Sequence, residues 1–286
     1  MKKIILSLLV LAGCAAIGAY LWQQNKTSAA TSVAQANPAV DTPKPPGPEA
    51  ATAPQAILAA PAPAAARHPV DAGLHATALP ALDASDPIIL EALTALLGKT
   101  PMQQMLRPQE IVRRIVVTID NLPRANTAAR LLPTKKINGA LLTEGPPGSL
   151  TIAPQNAARY NAYAYLADLT DAKGLVDLYA RHYPLFQRAY QDLGYPDGYF
   201  NDRLILVIDH LLATPDAKEP MALTQPHVLY EFADPALQAR SAGQKVLLRI
   251  GSANTTRIKA KLREIRAALT DKMPAVLAAP SSVPPT

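Results

Sequence analysis

The chain has 286 residues, 49% of them hydrophobic, with 28 prolines, one cysteine and a formal charge of +6 at a pI near 9.4. The single cysteine, Cys14, excludes an intrachain disulfide, a cysteine zinc cluster and a thiol redox pair. The charge is local: residues 81–243 hold 15 Lys+Arg against 17 Asp+Glu, whereas residues 244–286 hold 8 against 2.

Met1-Lys2-Lys3 precedes Ile4 to Trp22, an uncharged apolar run closed by Tyr20 and Trp22. As a helix it would be about 28 Å long, close to the hydrocarbon thickness of a bilayer. The leading lysines favour a cytoplasmic N-terminus, so residues 1–26 read as a membrane anchor with the rest of the chain exported to the periplasm. Leu11-Ala12-Gly13-Cys14 also matches a lipobox, which would make Cys14 a lipidated terminus after cleavage. Both readings tether the chain to a membrane.

Residues 27–80 are built from Ala, Pro, Ser, Thr and Gln, and their prolines break any helix that the alanines could start. With few bulky apolar groups to bury, this stretch reads as a disordered linker, spanning roughly 40 Å as a flexible coil. The Pro/Ala-rich tail, residues 272–286, reads the same way.

Between them, residues 81–271 form one domain of ordinary size. Ser85 or Asp86 caps a helix from Pro87 to Gly98, and Pro101 to Leu106 follows as a short turn. Pro108 opens a helix carrying Ile111, Val112, Ile115, Val116 and Ile119, with a strand as the β-branched runner-up. Leu141–Thr143 and Ser149–Ile152, flanking Gly145-Pro146-Pro147-Gly148, predict a hairpin. From Asp171 the series Leu175, Tyr179, Tyr183, Phe186, Tyr190 and Leu193 keeps helical phase through Pro184, as two helices or one kinked helix. After a turn at Gly194 to Gly198, Asn201 or Asp202 caps a buried helix with Leu204, Val207, Ile208, Leu211 and Leu212. Met221–Thr224 and Val228–Phe232 are strand candidates able to pair with the hairpin. Ser241 caps a helix ending at Gly251, and the last helix buries Ile258, Leu262, Ile265 and Leu269.

The fold expected is a mainly α, single multi-helix domain with a minor β-hairpin or small antiparallel sheet, behind a membrane anchor and a disordered Pro/Ala-rich linker. The runs PLFQRAYQDLGYPDGYFNDR, VIDHLLATP, YEFADP, SAGQKVLLRIG and KAKLREIRAAL, with IDNLP upstream, resemble the bacterial family catalogued as domain of unknown function 3014. The resemblance runs roughly from Leu82 to Leu269. It implies an envelope-anchored protein without assigned activity, and it carries over no catalytic residues.

Among chemistry-bearing residues, Asp202, Arg203, Asp209 and His210 share one stripe of the buried helix. Asp209 and His210 could form an acid/base pair with Arg203 as an anion clamp, or all could be structural ion pairs that orient the helix. Eight of ten tyrosines fall between Tyr160 and Tyr199; Tyr160, Tyr195 and Tyr199, outside the helical period, are the surface candidates for binding a partner. Arg257, Lys259, Lys261, Arg263 and Arg266 would make the last helix a positive surface, with Lys259, Arg263 and Arg266 as its binding candidates. Export makes anionic lipid head groups, wall polymers or an acidic envelope protein the expected targets, and no nucleic acid. His182, His210 and His227 show no metal-ligand spacing, and no nucleotide, cofactor or hydrolase motif occurs. The domain therefore reads as a non-enzymatic binding or scaffold module, with an envelope hydrolase or transferase using Arg203, Asp209 and His210 as the alternative.

Overall fold

The structure is a computed structural model and describes residues 66–70, 79–127, 129–137 and 139–271. The expected anchor with Cys14, most of the linker and the tail lie outside the described residues. No helix among the described residues is long and apolar enough to cross a membrane.

Nine α-helices and four short strands make up the described chain. In order they are α1 (Asp86–Leu97), α2 (Lys99–Met105), α3 (Ile111–Asn121), β1 (Thr143–Glu144), β2 (Leu150–Ile152), α4 (Asn161–Asp168), α5 (Ala172–Asp192), α6 (Phe200–Leu212), β3 (Ala222–Thr224), β4 (Glu231–Phe232), α7 (Pro235–Gln238), α8 (Ala242–Arg249) and α9 (Ser252–Asp271). The mainly helical class with a small antiparallel sheet is as expected. The sheet has four strands in the order β1-β2-β3-β4, all antiparallel, with Leu150 opposite Leu223 and Leu223 opposite Phe232.

Helix α6 packs against α3, α5 and α9, and the same three neighbours pack on one another through α5. Phe200, Leu204 and Ile208 of α6 are fully buried in this bundle. An aromatic cluster fills its α5 side: Tyr179 meets Phe186 edge-on at 5.3 Å, and Phe186 stacks on Phe200 at 6.0 Å. The last helix buries the expected stripe of Ile258, Leu262, Ile265 and Leu269 against it. A second, smaller core lies under the sheet, formed by Leu141, Ile152, Met221, Leu223, Phe232 and Leu248. Helix α8 serves both cores: Leu247 points into the bundle core and Leu248 into the sheet core.

Several capping expectations are corrected. Neither Ser85 nor Asp86 caps α1 through its side chain. The Asp86 carboxylate instead accepts the Glu110 and Ile111 N–H groups at 2.7 and 2.9 Å, satisfying the start of α3 from another helix. That helix begins at Ile111, not Pro108, because Glu110 takes a left-handed φ of 53°. Likewise Tyr199 precedes α6 and the Gln187 side chain accepts the Phe200 N–H at 2.9 Å, so neither Asn201 nor Asp202 is the cap. Pro184 sits inside one continuous α5, which Asp171 caps by accepting the Lys173 and Gly174 N–H groups. The 3-10 turn at Pro154–Tyr160 and α4 have no counterpart in the sequence reading; neither has a side-chain cap to mark its start.

Within the stretch read as linker, residues 66–70 lie on the domain. The Arg67 and His68 N–H groups donate to the two carboxylate oxygens of Asp202 at 3.0 and 2.7 Å, and Asn201 Nδ2 donates to the His68 carbonyl at 2.8 Å. Val70 packs on the bundle core.

Candidate functional site

Asp120 closes the amphipathic run of α3 and is buried, 2% exposed. A carboxylate in the last turn of a helix faces the negative end of the dipole, and a buried one needs a partner. Arg203 of α6 supplies it: Nε donates to Asp120 Oδ1 at 2.9 Å, while Nη2 donates to the Asp120 carbonyl at 2.8 Å. One guanidinium thus neutralises the acid and caps the helix end. Arg124 Nη2 completes the carboxylate by donating to Oδ2 at 2.7 Å. It also donates to the Tyr195 hydroxyl, 3.0 Å away. Tyr195 stacks on Tyr190 at 4.6 Å, and burial near Asp120 pushes the Tyr190 phenol up to about 12.

The N-terminus of α8 abuts the same end of α3. The Ala242 and Gly243 N–H groups donate to the carbonyls of Arg124 and Leu122 at 2.7 and 3.0 Å. Gly243 is needed here, since a Cβ would stand 2.6 Å from Leu211 Cδ2 and 3.1 Å from the Leu122 carbonyl. Ser241 caps α8 as expected, its Oγ accepting the Gln244 N–H at 3.2 Å. That hydroxyl is also 2.8 Å from His210 Nε2, and Gln244 Nε2 donates to the His210 carbonyl at 3.0 Å. Burial, with Arg203 and Arg240 nearby, lowers the His210 imidazole below its ordinary 6.5. A neutral ring suits the geometry, because Ser241 can then donate its own O–H to Nε2.

The stripe of candidates on α6 is therefore divided among separate partners. Arg203 goes to Asp120, His210 to Ser241, and Asp209 to Arg266 of α9, which donates from Nε and Nη2 at 2.5 and 3.0 Å. Asp209 and His210 are not joined as an acid/base pair.

Other candidates move too. Tyr160 is not a surface residue: it is 2% exposed and holds a place in the bundle core, with the Arg159 guanidinium 5.7 Å from its ring. Tyr195 is half-buried in the Asp120 cluster, and Tyr199 is exposed, as expected. The broad positive face on α9 is broken up, because Lys259 and Lys261 are each only 7% exposed. Lys259 Nζ donates to the Thr214 carbonyl at 2.6 Å and to Asp216 at 2.8 Å. Lys261 Nζ donates to the Thr170 carbonyl at 2.6 Å and to Glu264. Each ammonium thus satisfies a carbonyl just past the C-terminus of α6 or α4, where positive charge is favoured. Lys259 in turn holds the exposed Asp216 carboxyl below its ordinary value. Arg257 and Arg263 stay exposed.

Asp120, Arg124 and Gln244 were not singled out by the sequence reading, and Ser241 was read only as a helix cap. The available signal was positional: Asp120 lies in IDNLP, Arg203 follows the turn in GYFNDR, His210 lies in VIDHLL and Ser241 opens SAGQK. Four separated runs meet at one end of the bundle. No group of three or more His, Cys, Asp or Glu side chains placed to hold a metal ion occurs among the described residues.

The model of a family described as "Protein of unknown function (DUF3014)" matches residues 111–266, which include the whole of this cluster. Nothing matches among curated proteins or among solved structures.

Proposed function

We propose, from the premise that this chain belongs to the DUF3014 family, that it is a membrane-anchored envelope protein whose helical domain works in the periplasm as a non-enzymatic binding or scaffold module. The observation that supports a module over an enzyme is the closure of Asp120 on Arg203 and Arg124. Both carboxylate oxygens are engaged by guanidinium donors, and the main-chain carbonyl takes a third bond, so the most buried charge of the domain orients helices. The anchor and the export rest on the sequence of residues 1–26. Within α9, electrostatic attachment to membrane or wall falls to the exposed Arg263 and to Arg257, which also meets Asp168 at 3.5 Å. Crosslinking in intact cells followed by pull-down tests the module reading. Recovery of discrete envelope partners is expected, and a chain that crosslinks to nothing above background overturns it. A periplasmic reporter fused after residue 286 tests the orientation, and inactivity of that reporter overturns it.

One observation favours a second reading. Ser241 Oγ and His210 Nε2 stand 2.8 Å apart, the spacing of a nucleophile and its base, and burial lowers the imidazole below its ordinary value. Against it, Ser241 is buried and already caps α8, and Asp209, the neighbouring acid, is turned to Arg266. A fluorophosphonate probe that labels Ser241 in the native chain would establish a hydrolase.

A further inference from the structure

Three hydrogen bonds hold residues 66–70 to the domain through their main chain. Asp202 accepts two successive N–H groups, one on each oxygen, and Asn201 donates to the carbonyl that follows. Such a clamp reads a backbone bent so that two successive N–H groups point the same way, as residues 67 and 68 are. Pro69 keeps the preceding residue out of the helical region, so the bend does not continue as a helix, and Val70 supplies an apolar anchor on the bundle. Phe200 N–H is satisfied by Gln187, which itself receives the Tyr183 hydroxyl at 2.9 Å and donates to the Gly198 carbonyl at 2.6 Å. Asp202 is thereby left over for a ligand instead of capping its own helix.

A second observation points the same way. Asn201 is 1% exposed, its Nδ2 is committed to the His68 carbonyl, and Oδ1 of the same amide has no hydrogen-bond partner. The amide cannot be turned round, since Oδ1 would then face a carbonyl oxygen. A buried unmet acceptor costs stability, and here it is retained beside the segment that the amide holds.

We propose that Asn201 and Asp202 form a peptide-docking site for a bent segment of the form X-X-Pro-apolar, occupied in this chain by its own Arg67–Val70. The proposal deepens the reading of the domain as a binding module by naming the ligand class. The chain's own segment acts as an internal competitor, and a partner's segment of the same form must displace it. The cis occupant lowers the apparent affinity for a free peptide by the fraction of time the site is open.

The test uses a fluorescent, end-blocked peptide with the sequence of residues 66–71 and the full chain in two forms, native and Arg67→Pro/His68→Pro. The prolines remove both N–H donors and free the site. Anisotropy should show binding at least about tenfold tighter to the double-proline chain than to the native one, if the native site is open less than about a tenth of the time. Adding Asp202→Ala to the double-proline chain should weaken binding about tenfold or more. Should that variant lose its helical circular dichroism, the folded double-proline chain is assayed with a peptide carrying proline at both clamped positions, and the same loss is expected. Equal binding by native and double-proline chains, or indifference to the proline peptide, overturns the site. Peptide binding that persists in a chain without any envelope crosslinks leaves the site standing and overturns the module reading instead.

Discussion

Arg203 bonds Asp120 twice, once at the carboxylate and once at the main-chain carbonyl, and so ties the end of α3 to the first turn of α6. The acid is buried and the guanidinium mostly so, with side-chain exposures of 2% and 16%. Removing Asp120 leaves the Arg203 guanidinium unpaired, and removing Arg203 leaves the buried acid with only the half-exposed Arg124, so either loss exceeds what the intact pair contributes. Arg203→Ala and Asp120→Ala should each lower unfolding free energy by about 3 to 5 kcal/mol. Arg124→Ala, whose side chain is 53% exposed, should cost about 1 kcal/mol or less. Urea denaturation of the three variants checks the order. A fully stable Arg203→Ala chain that loses envelope partners would make Arg203 a binding residue.

A related expectation concerns α9. Lys259→Met leaves the Thr214 carbonyl without its donor and should cost about 1 to 3 kcal/mol. Arg263→Glu, on the exposed side of the same helix, should change stability by about 0.5 kcal/mol or less. Reversal of that order in thermal melts would mean that the lysine does not cap α6.

Acid should weaken the domain partly through His210. Its folded-state value is depressed, so the unfolded chain binds the proton more readily, and stability rises with pH across that window. The contribution is complete above the ordinary 6.5 and is lost as pH falls from there through the folded value. His210→Gln, which can still accept from Ser241, should flatten the fall of the urea midpoint between about pH 7 and pH 5. An unchanged slope would place the titration elsewhere.

Gly243→Ala should destabilise by about 1 to 3 kcal/mol, because the added methyl meets Leu211 and the Leu122 carbonyl in a filled space. Calorimetry reads this directly, and an unaffected melting temperature would show that α8 can shift away from α3.

What could be read from the residues alone was whatever repeats locally. The stripes of α3, α5, α6 and α9, the hairpin and the Ser241 cap follow from spacing within about two turns of chain. The rest depended on partners far along the sequence. Asp86 looks like a cap for the helix it begins, yet its carboxylate reaches residues 110 and 111. Lys259 has the spacing of a charged face, but a carbonyl 45 residues away makes that position interior. Tyr160 lies outside any periodic run because it sits in a 3-10 turn, whose tighter pitch hides a buried position. The Asp120 cluster joins four runs that no local pattern connects.

Leu247 and Leu248 are adjacent in the chain, yet they belong to different cores. A single peptide unit therefore couples the sheet to the bundle. Since α8 also hangs from the Leu122 and Arg124 carbonyls, a shear applied at β3 or β4 is delivered to the end of α3 without a hinge to absorb it. A partner pulling on the sheet would load the Leu122 and Arg124 hydrogen bonds first and, through the end of α3, the Asp120–Arg203 tie.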